Sequence, residues 1–246
     1  MRVTSLLFLA LLLVSPPSAS ALTIVTEESP PSTVVHGGSL TGSSVQIVTE
    51  IQKRAGDHSK IEVFPWARAY SMAVTEPDVV IFATSRTPDR ESLFEWVGPI
   101  MRLNWAFFAP AGKMRPLASL EDAKAVGAIG TYRNDAREAF LRERGFTNLE
   151  STSDPVANVR KLLAGRIDLI ASTDVGIRYG HERANIGPGV LENVLTFWQA
   201  DLYIAFSKGS DPAVVSAWRK ALADMKADGT FAAIYSKWLP GETAPK

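Results

Sequence analysis

Thr84-Ser85-Arg86-Thr87-Pro88-Asp89-Arg90-Glu91-Ser92-Leu93-Phe94-Glu95-Trp96-Val97-Gly98-Pro99 follows the apolar run Val79-Val80-Ile81-Phe82. Four consecutive β-branched or aromatic residues read as a buried strand. Thr84, Ser85 and Thr87 then crowd a turn, and Pro88-Asp89-Arg90 opens a short helix. Free backbone N–H groups at a helix start attract anions, and a guanidinium beside them can grip a carboxylate with two parallel hydrogen bonds. The stretch is therefore a candidate anion cradle. The alternative is an ordinary strand-to-helix turn whose Arg90 pairs with Asp89, Glu91 or Glu95 on the surface.

On both sides of this turn, strands alternate with helices. Leu22 to Thr26 reads as a strand, Ser44 to Ala55 as a helix stopped by Gly56, Lys60 to Phe64 and Asp78 to Ala83 as strands, and Asn104 to Ala109 as another. A second set runs through Ala125 to Thr131 (strand), Asn134 to Arg144 (helix, with Gly145 beyond it), a helix opened by Ser153-Asp154-Pro155, and Ile167 to Ala171 (strand). Leu202 to Phe206 (strand) and two helices, Asp211 to Ala227 and Phe231 to Leu239, complete the chain. Such alternation predicts an α/β fold with two mixed, mostly parallel sheets. The chain can cross between two lobes near 107–112 and 197–202. Lobe 1 is then 22–109 plus 199–246 and lobe 2 is 110–198, with the ligand site in the cleft between them. A single continuous sheet is the alternative.

Arg2, the apolar run Leu6 to Val14, and Ala19-Ser20-Ala21 have the order of a secretory signal peptide, so residues 1–21 are expected to be removed on export. The sequence has no cysteine, which excludes disulfides, thiolate metal sites and lipidation on cysteine. A soluble protein of an oxidising periplasm, held together by its core, fits this composition. Removing Arg2 from 26 basic residues leaves 25 against 26 acidic ones, with no basic stripe, so no nucleic-acid partner is expected.

The Thr-Pro-x-Arg element with the following aromatic and Gly-Pro, the helix start near Asn134, and Leu162-Leu163-Ala164-Gly165-Arg166-Ile167-Asp168 together resemble the periplasmic solute-binding proteins of family 3, the amino-acid-transport type. The resemblance implies a two-lobed venus-flytrap fold. It also implies a monomer without cofactor or metal that closes on a small solute and presents it to an ABC transporter permease or a membrane receptor. It gives Arg90 the ligand's carboxylate, Ser85 a supporting hydroxyl, and Trp66 the place of an aromatic wall, where an indole can stack on a solute. In the second lobe it points to the loop of Arg133 and Asn134, Asn134 capping a helix and Arg133 adding charge, while Asp135 favours the helix dipole. The acidic residue that receives an ammonium group in amino-acid binders falls at Thr173, with Asp174 one residue later. The aromatic of the first loop is replaced by Ser29. A carboxylate without an ammonium partner fits these residues equally well.

Exported dehydratases acting on prephenate-like acids share the architecture, so a lyase is the competing reading, and a ligand-sensing subunit a third. Acid–base chemistry needs a positioned proton donor. His36, His58 and His181 stand apart, no nucleophile or metal motif occurs, and Glu27 and Glu28 read as loop carboxylates. The expectation is a non-catalytic binder.

Overall fold

The computed structural model describes residues 22–246, so the expected signal peptide lies outside the described residues. In chain order the strands are β1 (Thr23–Thr26), β2 (Val34–His36), β3 (Ser39–Thr41), β4 (Ile61–Val63), β5 (Val79–Ser85), β6 (Phe94–Pro110), β7 (Ile129–Tyr132), β8 (Leu149–Thr152), β9 (Leu169–Ser172) and β10 (Leu191–Ser207). The helices are α1 (Ser43–Ala55), α2 (Trp66–Thr75), α3 (Leu120–Lys124), α4 (Ala136–Glu143), α5 (Pro155–Leu163), α6 (Asp174–Ala184), α7 (Pro212–Ala227) and α8 (Thr230–Trp238).

Eight strands form one sheet in the order β4-β1-β5-β10-β6-β9-β7-β8, and β2 pairs with β3 in a small antiparallel ribbon. The large sheet is parallel at its two ends, where β1 lies between β4 and β5 and β7 lies between β8 and β9. In the middle, β6 and β10 run antiparallel to each other from Phe94 opposite Ser207 to Pro110 opposite Leu191. β5 pairs with β10 through Leu202 to Phe206, and β9 pairs with β6 through Ala106 to Phe108. The two parallel sets expected from the sequence are thus joined by two long strands common to both.

The apolar core divides at the same place. Ile24, Ile47, Ile51, Phe82, Ile204, Phe206, Trp218 and Tyr235 belong to one cluster, built from the beginning and the end of the chain. Phe107, Ile129, Leu141, Phe146 and Leu169 belong to another, built from its middle. Trp218 is fully buried and meets Phe206 edge to face at 5.1 Å.

Local chemistry explains most boundaries. α1 turns Val45, Ile47, Val48 and Ile51 inward and stops at Gly56, whose φ of 71° suits a residue without a Cβ. Asp154, Thr173 and Asp211 each accept a backbone N–H from the first turn of the helix they precede. β2, β3, α3 and β8 were not expected, β10 is longer than expected, and three further differences have a plain local cause. β6 begins at Phe94 rather than Asn104, because Gly98-Pro99 makes a bulge inside it: Leu202 stands opposite Met101 and Ile204 opposite Val97. Trp66, expected in a loop, opens α2 directly after Pro65. α6 was hidden by Gly176 and Gly180. A Cβ on Gly180 would come within 2.9 Å of Val159 in α5, so this glycine permits close helix packing rather than breaking a helix.

Candidate functional site

Where β1, β5, β7 and β9 end, their loops and the helices that follow enclose a cavity of about 120 Å³. That is room for about four water molecules at liquid density, hence for a small solute rather than a peptide.

One wall comes from the half containing β1 and β5. Ser85 ends β5, and Arg90 lies at the turn beyond it, only 3% exposed. Its guanidinium sits 4.6 Å from the ring centre of Tyr70 and 5.6 Å from that of Trp66, both on α2. Arg90 Nη2 donates to the backbone carbonyl of Asn134 at 2.9 Å, while its buried Nε has no partner among the described residues. The Thr84 and Thr87 hydroxyls are likewise buried and unpartnered there. A charged donor left dry in a cavity wall is costly unless something in the cavity accepts from it. Trp66 Nε1 donates at 3.0 Å to the same Asn134 oxygen.

The facing wall comes from β7, α4, β9 and α6. Asn134 has φ 60°, the left-handed conformation that Asn tolerates best among residues with side chains, and its carbonyl serves both donors. Asp135 is the N-cap of α4 and accepts from the Arg137 backbone N–H at 2.8 Å. Its two oxygens also take Arg137 Nε at 2.7 Å and Nη2 at 2.8 Å, a bidentate pair that lines the cavity. Burial works against ionised Asp135, but the Arg137 charge and hydrogen bonds outweigh it and hold the carboxyl below the usual carboxylate range.

Glu27 and Glu28, just after β1, reach into the cavity from the first half. Burial, then the negative charge of Asp135, push Glu27 up to about 8, against the downward pull of Arg137 and the Tyr132 hydroxyl. Tyr179 of α6 donates to Glu28 Oε2 at 3.2 Å, and burial followed by the Glu28 charge raises the phenol to about 12.

Arg90, Ser85 and Trp66, chosen from the sequence, all line this cavity. Arg133, Asn134 and Asp174 are exposed and do not. Asn134 offers its carbonyl rather than a cap, because the cap is Asp135, one residue on. With α4 starting at Ala136, the arginine on its inner face is Arg137, and Arg133 points elsewhere. Asp174 is the first residue of α6 and turns outward, leaving its neighbour Thr173, whose Oγ1 accepts the Gly176 N–H at 3.0 Å, on the cavity wall. The sequence reading missed Arg137 and Tyr132, and took Glu27 for an ordinary loop carboxylate. The signal for Arg137 was an N-cap aspartate two residues before it. Among the described residues no group of three or more His, Asp or Glu side chains is placed to hold a metal ion, and no helix is long and apolar enough to cross a membrane.

An α/β molecule with two parallel strand sets, and a cavity lined from both that holds a buried arginine, has the architecture of a solute-binding protein. The model of the bacterial extracellular solute-binding proteins, family 3, matches residues 22–241, and the chain belongs to that family. None of the curated proteins matches it. Among solved structures, a histidine kinase sensor domain with similarity to periplasmic binding proteins superposes with a TM-score of 0.82 at 22% identity, covering 92% of this chain and 98% of that one. The arginine-, lysine-, histidine-binding protein ArtJ from Geobacillus stearothermophilus gives 0.77 at 17% identity, with 92% and 97% covered. An ancestral amino-acid-binding protein, described as a precursor of cyclohexadienyl dehydratase, gives 0.73 at 18% identity, with 89% and 94% covered. At these identities the likeness is one of fold, that of two-lobed periplasmic binding proteins.

Proposed function

We propose that this protein binds a small carboxylate-bearing solute, an amino acid or a related compound, without catalysis. The solute sits between lobe 1 (22–109 plus 199–246) and lobe 2 (110–198), and the soluble, monomeric periplasmic protein hands it to an ABC transporter. The observation that carries this reading is the Arg90 guanidinium, buried on the cavity wall with Nε unpartnered among the described residues. A carboxylate entering there can take Nε and the neighbouring hydroxyl of Ser85. Closure shields the contact from water, where it is stronger. Mass spectrometry of the gently isolated protein under native conditions is expected to show one co-purifying small acid. A protein that carries no acid and binds none of a panel of amino and hydroxy acids in calorimetry overturns the reading.

Trp66→Phe keeps the ring and loses the N–H donor to Asn134. It is expected to weaken solute binding by about fivefold, the equivalent of one hydrogen bond of about 1 kcal/mol. Calorimetry against the identified solute checks it; an unchanged affinity shows that this link plays no part in closure.

The likeness to a kinase sensor domain supports a second reading, in which the closed form is recognised by a membrane receptor instead of a permease. A lyase reading is supported by the enclosed Glu27 and the dehydratase-precursor neighbour, and product formation from the co-purified acid decides it.

A further inference from the structure

We propose that Asn158 selects the solute: its Oδ1 accepts a hydrogen bond from an uncharged O–H or N–H that the bound acid carries apart from its carboxylate. The inference rests on the carrier reading and narrows it, from any small acid to one with a hydroxyl or amide donor.

Among the described residues, only two of the buried side-chain polar atoms without a partner belong to residues that line the cavity: Arg90 Nε and Asn158 Oδ1. The first is a donor, on the half that contains β1 and β5. The second is an acceptor, carried by α5 on the other half, in a residue only 2% exposed. An acceptor shut away from water is costly unless something donates to it. A solute that accepts at one point and donates at another satisfies both atoms.

The direction of the amide is fixed by its own contact. Asn158 Nδ2 donates to the Thr131 backbone carbonyl at 2.9 Å, and a flipped amide would set two oxygens against each other there. The oxygen, not the NH2, is therefore left for a solute. Gly130 of β7 makes room for it: a Cβ there would stand 2.7 Å from Oδ1 and 2.7 Å from Ile167 Cδ1. Val159, Ile170 and Ile177 also line the cavity from this half and form one apolar cluster with Ile167. In such a lining one amide oxygen can replace the water lost by a hydroxyl or an amide N–H, but not the hydration of an ammonium group. The charged groups of the wall are placed elsewhere. Asp135 and Arg137 at the start of α4 satisfy each other, Arg90 takes the carboxylate, and Glu27 and Glu28 lie after β1 on the opposite half, where any cationic group of the solute can find them. Asn158 thus reads the neutral part of the solute.

Calorimetry on the unaltered protein and on Asn158→Leu tests this with pairs of acids that differ by one hydroxyl or amide: serine and alanine, threonine and 2-aminobutyrate, glutamine and norvaline, lactate and propionate. Expected is at least one pair in which the donor-bearing member binds the unaltered protein about tenfold or more tightly than its partner. In Asn158→Leu that advantage should shrink to about threefold or less, while the partner without the donor binds both proteins alike. A purely structural role for Asn158 would weaken both members together. A donor advantage that survives Asn158→Leu, equal weakening of both members, or no advantage in any pair overturns the proposal. Should Asn158→Leu fail to fold, a crystal structure of the unaltered protein with the favoured acid decides: the donor atom lies within about 3.2 Å of Oδ1, and a carbon or a water molecule there overturns the proposal. Acids that bind without regard to the donor sink the role of Asn158 alone and leave the carrier reading standing, whereas binding of none sinks both.

Discussion

Arg90→Ala is expected to empty the cavity while the protein remains folded. The side chain is one of the few buried cations of the described chain, and its surroundings show why it is kept. Tyr70 and Trp66 present ring faces to the guanidinium, Asn134 takes one N–H, and Nε has no partner among the described residues. Two charge-assisted bonds to a carboxylate, at about 1.5–3 kcal/mol each, amount to a loss of about a hundredfold or more in affinity. Lysine restores the charge but can neither bridge the carbonyl and the ligand at once nor present a flat face to the two aromatic rings, so Arg90→Lys is expected to regain little of the binding. Asn134 keeps the Trp66 donor in either variant. The melting temperature should therefore fall by no more than a few degrees. Calorimetry with the co-purified acid, beside circular-dichroism melts, is the measurement. Near-native affinity in Arg90→Ala removes the basis of the proposed function.

The second large effect belongs to stability. Arg137→Ala strips Asp135 of both side-chain hydrogen bonds and leaves its carboxylate enclosed, facing Glu27. Breaking one side of such a pair typically costs about 3 kcal/mol, because the remaining charge keeps only the backbone N–H of residue 137 and little water. For a chain of this size that corresponds to a fall of roughly 6–12 °C in melting temperature. The pH dependence has a definite sign. In the native protein the Asp135 carboxyl is held below its ordinary range, so the stability it supplies is present above the unfolded value and lost as pH falls through the folded one. In Arg137→Ala that carboxyl titrates higher, and mild acid should recover part of the lost stability instead of removing more. Asp135→Asn combined with Arg137→Ala is expected to be less destabilised than Arg137→Ala alone. Melts of the three variants at neutral and mildly acidic pH test this, and an unaltered melting temperature in Arg137→Ala would show that the pair contributes nothing.

Much of the architecture was legible in the sequence because it depends on local patterns. The apolar run before Thr84 marked β5, and Pro155 after an aspartate marked the start of α5. Arg90 was legible for a related reason: hydroxyls and a guanidinium crowded at one turn form a short-range pattern. Residues defined by long-range enclosure were not. Nothing near Glu27 in sequence foretells that Asp135 and Tyr132 will close over it. Arg137 resembles any arginine on an exposed helix turn until α4 is seen to face the cavity. Asn134 was singled out for its side chain, whereas the structure uses its backbone carbonyl. β6 was expected only over Asn104 to Ala109, whereas it begins at Phe94 and runs through Gly98-Pro99. In the sheet that dipeptide is a bulge, and a Cβ on Gly98 would run into the Tyr203 ring.

The oxygen that receives both Arg90 and Trp66 belongs to the peptide unit, so every amino acid at position 134 would bring it along. Evolution cannot delete that clasp by swapping a functional group. It can only spoil the aim, by installing a residue reluctant to adopt φ 60°, such as valine or isoleucine. Aspartate or glycine would leave it intact. The site can thus drift in the identity of its cargo, through the side chains around it, while the fastening between its two jaws stays the same.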